Sequence, residues 1–223
     1  MSTPLATRVR LKIKRILREL TDSREEREWR RIWSFVDQVE GFLFEDQARW
    51  LFNAARSAPN GSNLVEIGSF KGRSTCCLAF GCYGSKKRVI AVDPFDGGPD
   101  LPKTNSLPDF LKNLDRGGLS EYVDPIVGRS AEVAKTWQKP IHLLFIDGSH
   151  NYEDVMADFV GFIPHVVPGG IVALHDVNGY WPGVLRAWNE TIQHELTEIG
   201  YCNELGYGRK PERSSLRRES DEE

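Results

Sequence analysis

Four acidic residues in the middle of the chain could do chemistry, because each stands inside or directly after a short apolar run. They are Glu66, Asp93, Asp147 and the acid of a His-Asp pair, Asp176. If the runs are strands of one parallel sheet, their carboxyl ends meet along one edge, which is where such sheets bind ligands. The spacing therefore predicts a ligand site lined by carboxylates.

The segment around the first acid has the spacing Glu66-x-Gly68-x-x-x-Gly72. This is typical of a strand, a tight turn and a helix whose N-terminus faces a ligand. Asp93 follows one strand-helix-strand unit later, where an acid can accept the ribose hydroxyls of a nucleoside. A nicotinamide dinucleotide needs a glycine where this loop has Phe70, and the loop's acid would repel a pyrophosphate. The same acid suits a methionine ammonium, so the loop favours S-adenosylmethionine.

Apolar runs and helical patterns alternate from residue 63 onward, which predicts an α/β fold with a mostly parallel sheet and helices on both faces. Strands are predicted over residues 64–67, 88–92, 123–127, 142–146 and 171–174. Helices are predicted over about 74–82, 110–114, 131–137, 152–160 and 182–198. The turn Pro168-Gly169-Gly170 is expected to lead into the fifth strand, and a short hairpin over residues 201–207 to close the sheet.

The two ends of the chain differ from this central part, so three regions are predicted. Residues 1–38 are a helical extension with a basic amphipathic helix and a second helix capped by Ser23. Residues 39–210 form the main domain, which opens with a helix over about 45–56. Residues 211–223 are polar and are expected to be disordered. The basic helix could pack on its own domain, touch an anionic surface, or join subunits into a homo-oligomer.

The composition is that of an ordinary soluble globular protein, with 40% hydrophobic and 27% charged residues. A net charge of -3 offers no general attraction for nucleic acid, so no nucleic-acid partner is predicted. No apolar run reaches membrane-spanning length. The four cysteines lack metal-ligand spacing and are expected to be reduced thiols, so a cytoplasmic location is predicted.

Five motifs in order resemble those of class I S-adenosylmethionine-dependent methyltransferases. They are Val65-Glu-Ile-Gly-Ser-Phe-Lys-Gly-Arg-Ser74, Val92-Asp-Pro94, Gly128-Arg-Ser130, Phe145-Ile-Asp-Gly-Ser-His150 and Pro168-Gly-Gly-Ile-Val-Ala-Leu-His-Asp176. The resemblance covers about residues 39–190, and the most similar subgroup contains catechol and macrolide-sugar O-methyltransferases and cephalosporin-hydroxylase-like proteins. It implies a Rossmann-like three-layer sandwich with strand order 3-2-1-4-5. It also implies roles for specific residues: Glu66, Gly68, Ser69, Gly72 and Ser74 around the methionine part, Asp93 at the ribose, and Arg129, Ser130 and Ala131 beside the adenine.

In the strand order of that family Asp147 and Asp176 end neighbouring strands, so they could share one Mg²⁺ ion. Catechol-type enzymes add an asparagine directly after the second aspartate, whereas this chain has Asn178 one position later. In the alternative without metal, Asp147 orders the cofactor's amine and Asp176 bonds to the backbone. The candidate catalytic residues are Asp147 and His150. His150 stands three residues after Asp147 and is a candidate general base because histidine titrates near neutral pH. His175 is a second candidate, as a base or a metal ligand, and either histidine could instead be structural.

The resemblance implies methyl transfer from S-adenosylmethionine to a hydroxyl of a small molecule such as a sugar or another natural product, with Mg²⁺ assistance in one version. Two alternatives stay open at this point. One is a metal-independent N- or O-methyltransferase, and the other is a non-catalytic nucleoside-binding or assembly protein of the same fold.

Overall fold

The computed structural model of the protein describes residues 23–97 and 103–212. The chain divides into two compact units, residues 1–38 and 39–223. The basic helix predicted within residues 1–20, and nearly all of the tail predicted from residue 211, lie outside the described residues. Within the described ranges, no helix combines the length and the apolar character needed to cross a membrane.

The first unit contains helix α1, Arg24–Val36. Its N-terminus is capped as the sequence predicts, because Ser23 Oγ accepts a hydrogen bond from the backbone N–H of Glu26 at 3.1 Å. Trp29 and Trp33 lie one turn apart on the helix and stack with ring centroids 6.1 Å apart.

The second unit is built on one seven-stranded sheet in the order β3-β2-β1-β4-β5-β7-β6. The strands are β1 Asn63–Ile67, β2 Arg88–Asp93, β3 Val123–Val127, β4 Ile141–Ile146, β5 Val166–Leu174, β6 Thr197–Cys202 and β7 Leu205–Arg209. Strands β1 to β5 pair in parallel, and β7 pairs antiparallel with both β5 and β6. The predicted fold class, with strand order 3-2-1-4-5 and a C-terminal hairpin, is confirmed.

Six helices of the described residues surround this sheet. They are α2 Glu45–Ser57, α3 Arg73–Cys82, α4 Leu107–Gly117, α5 Ser130–Lys135, α6 Tyr152–Phe162 and α7 Pro182–Glu190. Helices α2 and α3 pack closely, since a side chain at Gly81 would lie 2.6 Å from the carbonyl oxygen of Phe52. The buried Lys87 caps the C-terminus of α2, because its Nζ donates hydrogen bonds to the carbonyls of Ala55 at 2.7 Å and Arg56 at 2.9 Å.

Side-chain alternation along β1 decides which residues face which layer. Val65 and Ile67 join the apolar core beneath α6 and α7, which includes Phe159 and Trp188. Glu66 points to the opposite face, where α3 lies. All four cysteines of the chain lie in the described residues and are unpaired.

Two predicted boundaries were wrong at the C-terminal side. The helix predicted over residues 182–198 ends at Glu190, because Thr191 leaves the helical conformation at φ -138° and ψ -64°. A short 3₁₀ turn over Ile192–Glu195 then buries Ile192, and β6 starts at Thr197.

The predicted turn Pro168-Gly169-Gly170 lies inside β5. Gly169 has φ +73°, and the pairing of β4 with β5 shifts register at this point. The glycine conformation lets the strand absorb extra residues as a bulge and continue.

Candidate active site at the carboxyl edge of the sheet

The register of the sheet brings four sequence-predicted residues to one edge. Ile67 pairs with Val92 and Ile146, and Ile146 pairs with Leu174. The residues that follow these four are therefore neighbours, and they are Gly68, Asp93, Asp147 and His175. Two backbone hydrogen bonds continue the ladder past the strand ends, from Asp147 N to Ile67 O at 2.8 Å and from His175 N to Ile146 O at 3.1 Å.

Gly68 allows the loop after β1 to touch the end of β4. It has φ +85°, and a Cβ built there would lie 2.2 Å from the carbonyl oxygen of Asp147. Only a residue without a side chain fits such an approach. The predicted cofactor loop and the predicted catalytic acid are thus held against each other through their backbones.

Glu66 lies fully buried beneath this loop. One carboxylate oxygen accepts hydrogen bonds from the hydroxyls of Ser69, at 2.8 Å, and Thr75, while the other oxygen, Oε1, has no partner among the described residues. Burial raises the pKa of Glu66 to about 7, although the neighbouring hydroxyls of Ser74, Thr75 and Ser69 lower it in part. A buried acceptor of this kind normally has a hydrogen-bond donor beside it, so Oε1 is a candidate acceptor for a ligand group that reaches the loop.

Asp93 holds the loop itself. Its carboxylate accepts hydrogen bonds from the backbone N–H groups of Ser69 at 2.7 Å and Phe70 at 2.8 Å, and also from that of Phe95. Phe70 and Phe95 have φ of 46° and 55°, a region that non-glycine residues enter only when the surroundings impose it. The structure therefore shows Asp93 as the organiser of the turn, while its contact with a ribose stays a prediction.

A cluster of two carboxylates and one imidazole forms the other half of the site. His175 Nδ1 lies 3.1 Å from an oxygen of Asp147 and 3.0 Å from an oxygen of Asp176. These three groups are close enough together to hold a metal ion. Asp176 enters the cluster through a left-handed backbone turn at φ 60°.

The charges in this cluster are strongly coupled. Burial disfavours a charged His175, but the carboxylates of Asp147 and Asp176 outweigh it and raise its pKa to about 10. Burial raises the pKa of Asp147, and the adjacent imidazole offsets part of that rise. For Asp176, hydrogen bonds from His150 and His175 overcome the effect of burial and hold its pKa well below the usual range.

His150 joins the cluster from the loop after β4. Its Nε2 lies 3.1 Å from an oxygen of Asp176. Its ring stacks on Trp181 with centroids 3.6 Å apart and planes 11° apart. One carboxylate therefore contacts both candidate histidines, and an aromatic face holds the orientation of His150.

The remaining predicted residues have other partners in this structure. Asn178 Oδ1 accepts hydrogen bonds from the backbone N–H groups of Tyr180 at 2.7 Å and Trp181 at 3.2 Å, which shape the entry into α7. Its role as a third metal ligand stays a prediction, and His175 occupies the position beside the two carboxylates.

The predicted adenine segment lies at the start of α5. Arg129 pairs with Asp96 at 2.9 Å. Burial raises the pKa of the Asp158 carboxyl to about 6, and the Ser130 hydroxyl lowers it in part. Neither these residues nor Ala131 line the cavity described below. Contact of this segment with the adenine stays a prediction.

A cavity of about 790 Å³ opens over this edge. It is lined on one side by Gly68, Ser69, Ser74 and Asp93, and on the other by Asp147, His150, His175 and Asp176. Three further lining residues are largely exposed aromatic side chains: Phe42 at 77%, Phe44 at 58% and Tyr180 at 81%. We call Phe42, Phe44, Tyr180 and Trp181 the aromatic rim.

Sequence reasoning missed several of these contributors. Gln47, Thr75 and Trp181 each contact a predicted site residue, yet none belongs to a motif that names it. Gln47 carries the weakest signal, a glutamine in the first turn of a helix, which is also common in helices without any function.

The fold is Rossmann-like, and this edge is the switch point of a parallel sheet, where proteins of this fold bind their ligands. The chain belongs to the methyltransferase domain family, which matches residues 65–177. That match contains every motif of the edge from the glycine loop to the His-Asp pair.

The chain is also similar to proteins of known sequence. An uncharacterized protein of Acanthamoeba polyphaga mimivirus is 30% identical over 138 residues, 57% of this chain and 58% of that protein. Demethylmacrocin O-methyltransferase of Streptomyces fradiae is 34% identical over 67 residues, 30% of this chain and 17% of that enzyme. The chain thus spans little more than half of the first of these relatives and a smaller share of the second.

Among solved structures, the O-methyltransferase TomG of Streptomyces achromogenes, in complex with S-adenosylmethionine, has a TM-score of 0.61 and 16% identity. The alignment covers 90% of this chain and 96% of TomG. At this identity the likeness shows a shared fold.

Proposed function

We propose that this protein is an S-adenosylmethionine-dependent methyltransferase that transfers the methyl group to a hydroxyl oxygen of a small molecule. The observation that carries the proposal is the cavity at the sheet edge. One wall of the cavity is the glycine loop, beneath which lies the buried Glu66. The other wall is the carboxylate–histidine cluster at the ends of β4 and β5. Membership of the methyltransferase domain family supports the same reaction class.

The loop side of the cavity fits the methionine part of the cofactor. Glu66 Oε1 is a buried acceptor without a partner, which suits an ammonium group. Gly68 lets the loop lie against the end of β4, which brings the loop close to Asp147 on the opposite wall of the cavity. Ser69 and Ser74 line the same wall.

The other side of the cavity fits a hydroxyl nucleophile. His150 would accept the hydroxyl proton at Nδ1, the ring nitrogen that does not face Asp176, while the substrate oxygen takes the methyl group. Asp176 would stabilise the imidazolium that forms, through the 3.1 Å contact at Nε2. Stacking on Trp181 holds the ring, so positioning contributes much of the acceleration.

A divalent cation fits the cluster of Asp147, His175 and Asp176. Adjacent ligand atoms around an octahedral Mg²⁺ with bonds of about 2.1 Å are roughly 3.0 Å apart. The nitrogen-to-oxygen distances of 3.1 and 3.0 Å match that edge length. A cation bound there would lower the pKa of a substrate hydroxyl.

The same distances also suit a protonated His175 that donates to both carboxylates. In that alternative Asp147 and Asp176 raise the pKa of His175, and the imidazolium supplies the positive charge from within the chain. This second candidate is a metal-independent methyltransferase with an otherwise identical cavity.

The aromatic rim indicates the kind of acceptor. Large aromatic side chains rarely stay exposed together unless they contact a ligand or partner. Flat apolar faces beside His150 suit the planar or ring-shaped body of a natural product more than a small, fully polar metabolite. We therefore propose a hydroxylated natural product with an apolar ring system as the acceptor.

Calorimetry with S-adenosylmethionine tests the cofactor, and absence of binding at millimolar concentration would leave the non-catalytic alternative. Transfer of labelled methyl groups to a panel of phenols and glycosides tests the reaction. His150→Gln should lower kcat at least a hundredfold. The exposed His194→Gln is the matched control and should change nothing.

Titration with a chelator separates the two versions of the site. Activity lost in EDTA and restored by Mg²⁺ supports the cation, and Asp147→Ala should then remove the cation dependence. Full activity in EDTA supports the protonated His175.

A further inference from the structure

Gln47 connects the first turn of α2 to the carboxylate–histidine cluster. Its side chain is fully buried, and it lies outside the residues matched by the methyltransferase family. Its Oε1 accepts a hydrogen bond from the backbone N–H of Phe44 at 3.0 Å. The same oxygen lies 3.1 Å from Nε2 of His175.

These two contacts determine where the proton of His175 sits. A backbone N–H can only donate, so the atom of Gln47 that faces Phe44 must be the carbonyl oxygen rather than the amide nitrogen. Because that oxygen also faces His175, Nε2 of the imidazole must carry a proton. Nδ1 is then the nitrogen that faces Asp147 and Asp176.

We propose that Gln47 is a positioning residue that keeps His175 as its Nε2–H form and so presents Nδ1 to the two carboxylates. The protonation of Nε2 follows from the contacts of Gln47 alone. Only the role given to Nδ1 rests on the proposed function. With a cation in the cluster, Nδ1 must offer a lone pair, and with no cation it must carry a second proton. Both versions of the site require Nε2–H.

Loss of the Gln47 oxygen would favour the opposite tautomer. Nε2 would then be a buried donor without an acceptor, which is unfavourable. A neutral His175 avoids that cost by moving its single proton to Nδ1, where a carboxylate accepts it. In that form no lone pair faces the cluster, and a cation loses one ligand.

The chain offers a matched pair of substitutions at this position. Gln47→Met keeps the approximate volume and removes the oxygen. Gln47→Glu keeps an acceptor for both Phe44 and His175, and it removes the amide nitrogen, which has no partner in this structure. A purely structural role for Gln47 predicts similar effects of both changes, whereas the proposed role predicts opposite ones.

The test is nitrogen NMR of the full chain with ¹⁵N-labelled histidine, without metal or cofactor, using His175→Gln to identify the His175 signals. Spectra are recorded over a range of pH. We expect a protonated Nε2 at neutral pH in the wild type and in Gln47→Glu, and we expect Nε2 to lose its proton at a lower pH in Gln47→Met than in either of them. A wild-type His175 with bare Nε2 would overturn the proposal, even if Gln47→Met fails to fold. A folded Gln47→Met that keeps its Nε2 proton up to the same pH as the wild type would overturn it too.

Calorimetric titration with Mn²⁺ gives a second readout. If the wild type binds the ion, Gln47→Met should bind about 10–100-fold more weakly and Gln47→Glu at least as tightly as the wild type. Equal affinity of Gln47→Met and the wild type would contradict the positioning role. If the wild type binds no Mn²⁺, the cation version of the function fails, and the NMR result alone decides the role of Gln47.

Discussion

Gly68→Ala should destabilise the protein far more than the same change at another left-handed glycine. Gly68 has φ +85°, and Gly61, in the turn before β1, has φ +82°. A Cβ at residue 61 would meet nothing within 4 Å, whereas at residue 68 it would lie 2.2 Å from the carbonyl oxygen of Asp147 and 2.6 Å from Cα of Gly148. The pair therefore separates backbone strain from steric overlap.

The expected magnitudes follow from these distances. In both variants an alanine must adopt the left-handed backbone conformation, which costs about 1–2 kcal/mol. Gly68→Ala must also push the loop away from the backbone of β4, and overpacking of this kind costs about 1–3 kcal/mol more. For a chain of this size the additional cost corresponds to a further fall in Tm of roughly 2–12 °C.

Urea denaturation followed by tryptophan fluorescence measures the free energy of unfolding of both variants. We expect Gly61→Ala to lose the smaller amount and Gly68→Ala about 2–5 kcal/mol in total. Equal losses for the two variants would refute the close backbone approach between the loop and β4. Calorimetry with S-adenosylmethionine should also show weaker binding to Gly68→Ala, because the loop moves away from Asp147.

Three further substitutions test the residues that support the loop after β1 and the end of helix α2. Asp93→Ala leaves the loop N–H groups without their acceptor and should lower the free energy of unfolding by about 2–4 kcal/mol in urea. Between an ordinary value of 4.5 and about 7, folded Glu66 keeps a proton that the unfolded chain has released, so stability of the cofactor-free protein falls as pH rises through that window. Over that window the free energy of unfolding of Glu66→Gln should fall by on the order of 3 kcal/mol less than that of the wild type. An equal dependence on pH in the two proteins would contradict the raised pKa of Glu66. Lys87→Met should cost about 1–3 kcal/mol by removing the donor to the last carbonyls of α2, while Lys86→Met on the exposed surface should cost little.

Much of the fold could be predicted because its signals are local. Each parallel strand is a short apolar run, and each run except the third is followed or interrupted by a polar residue that marks the ligand edge. The exceptions were the end of α7 and the turn that was predicted before the fifth strand but lies inside β5. In both places a bulge or a short 3₁₀ turn, set by tertiary packing, replaced the expected element.

The sequence by itself determined which acids reach the ligand edge, because the carboxyl ends of parallel strands all lie along one edge of the sheet. Only the tertiary structure decided how they combine. The register of β4 and β5 puts His175 opposite Asp147, and a left-handed turn brings Asp176 back beside them. The contact from His175 to Gln47 spans 128 positions in the chain. No local pattern records such a contact, because it arises from the packing of α2 over the face of the sheet toward which His175 points.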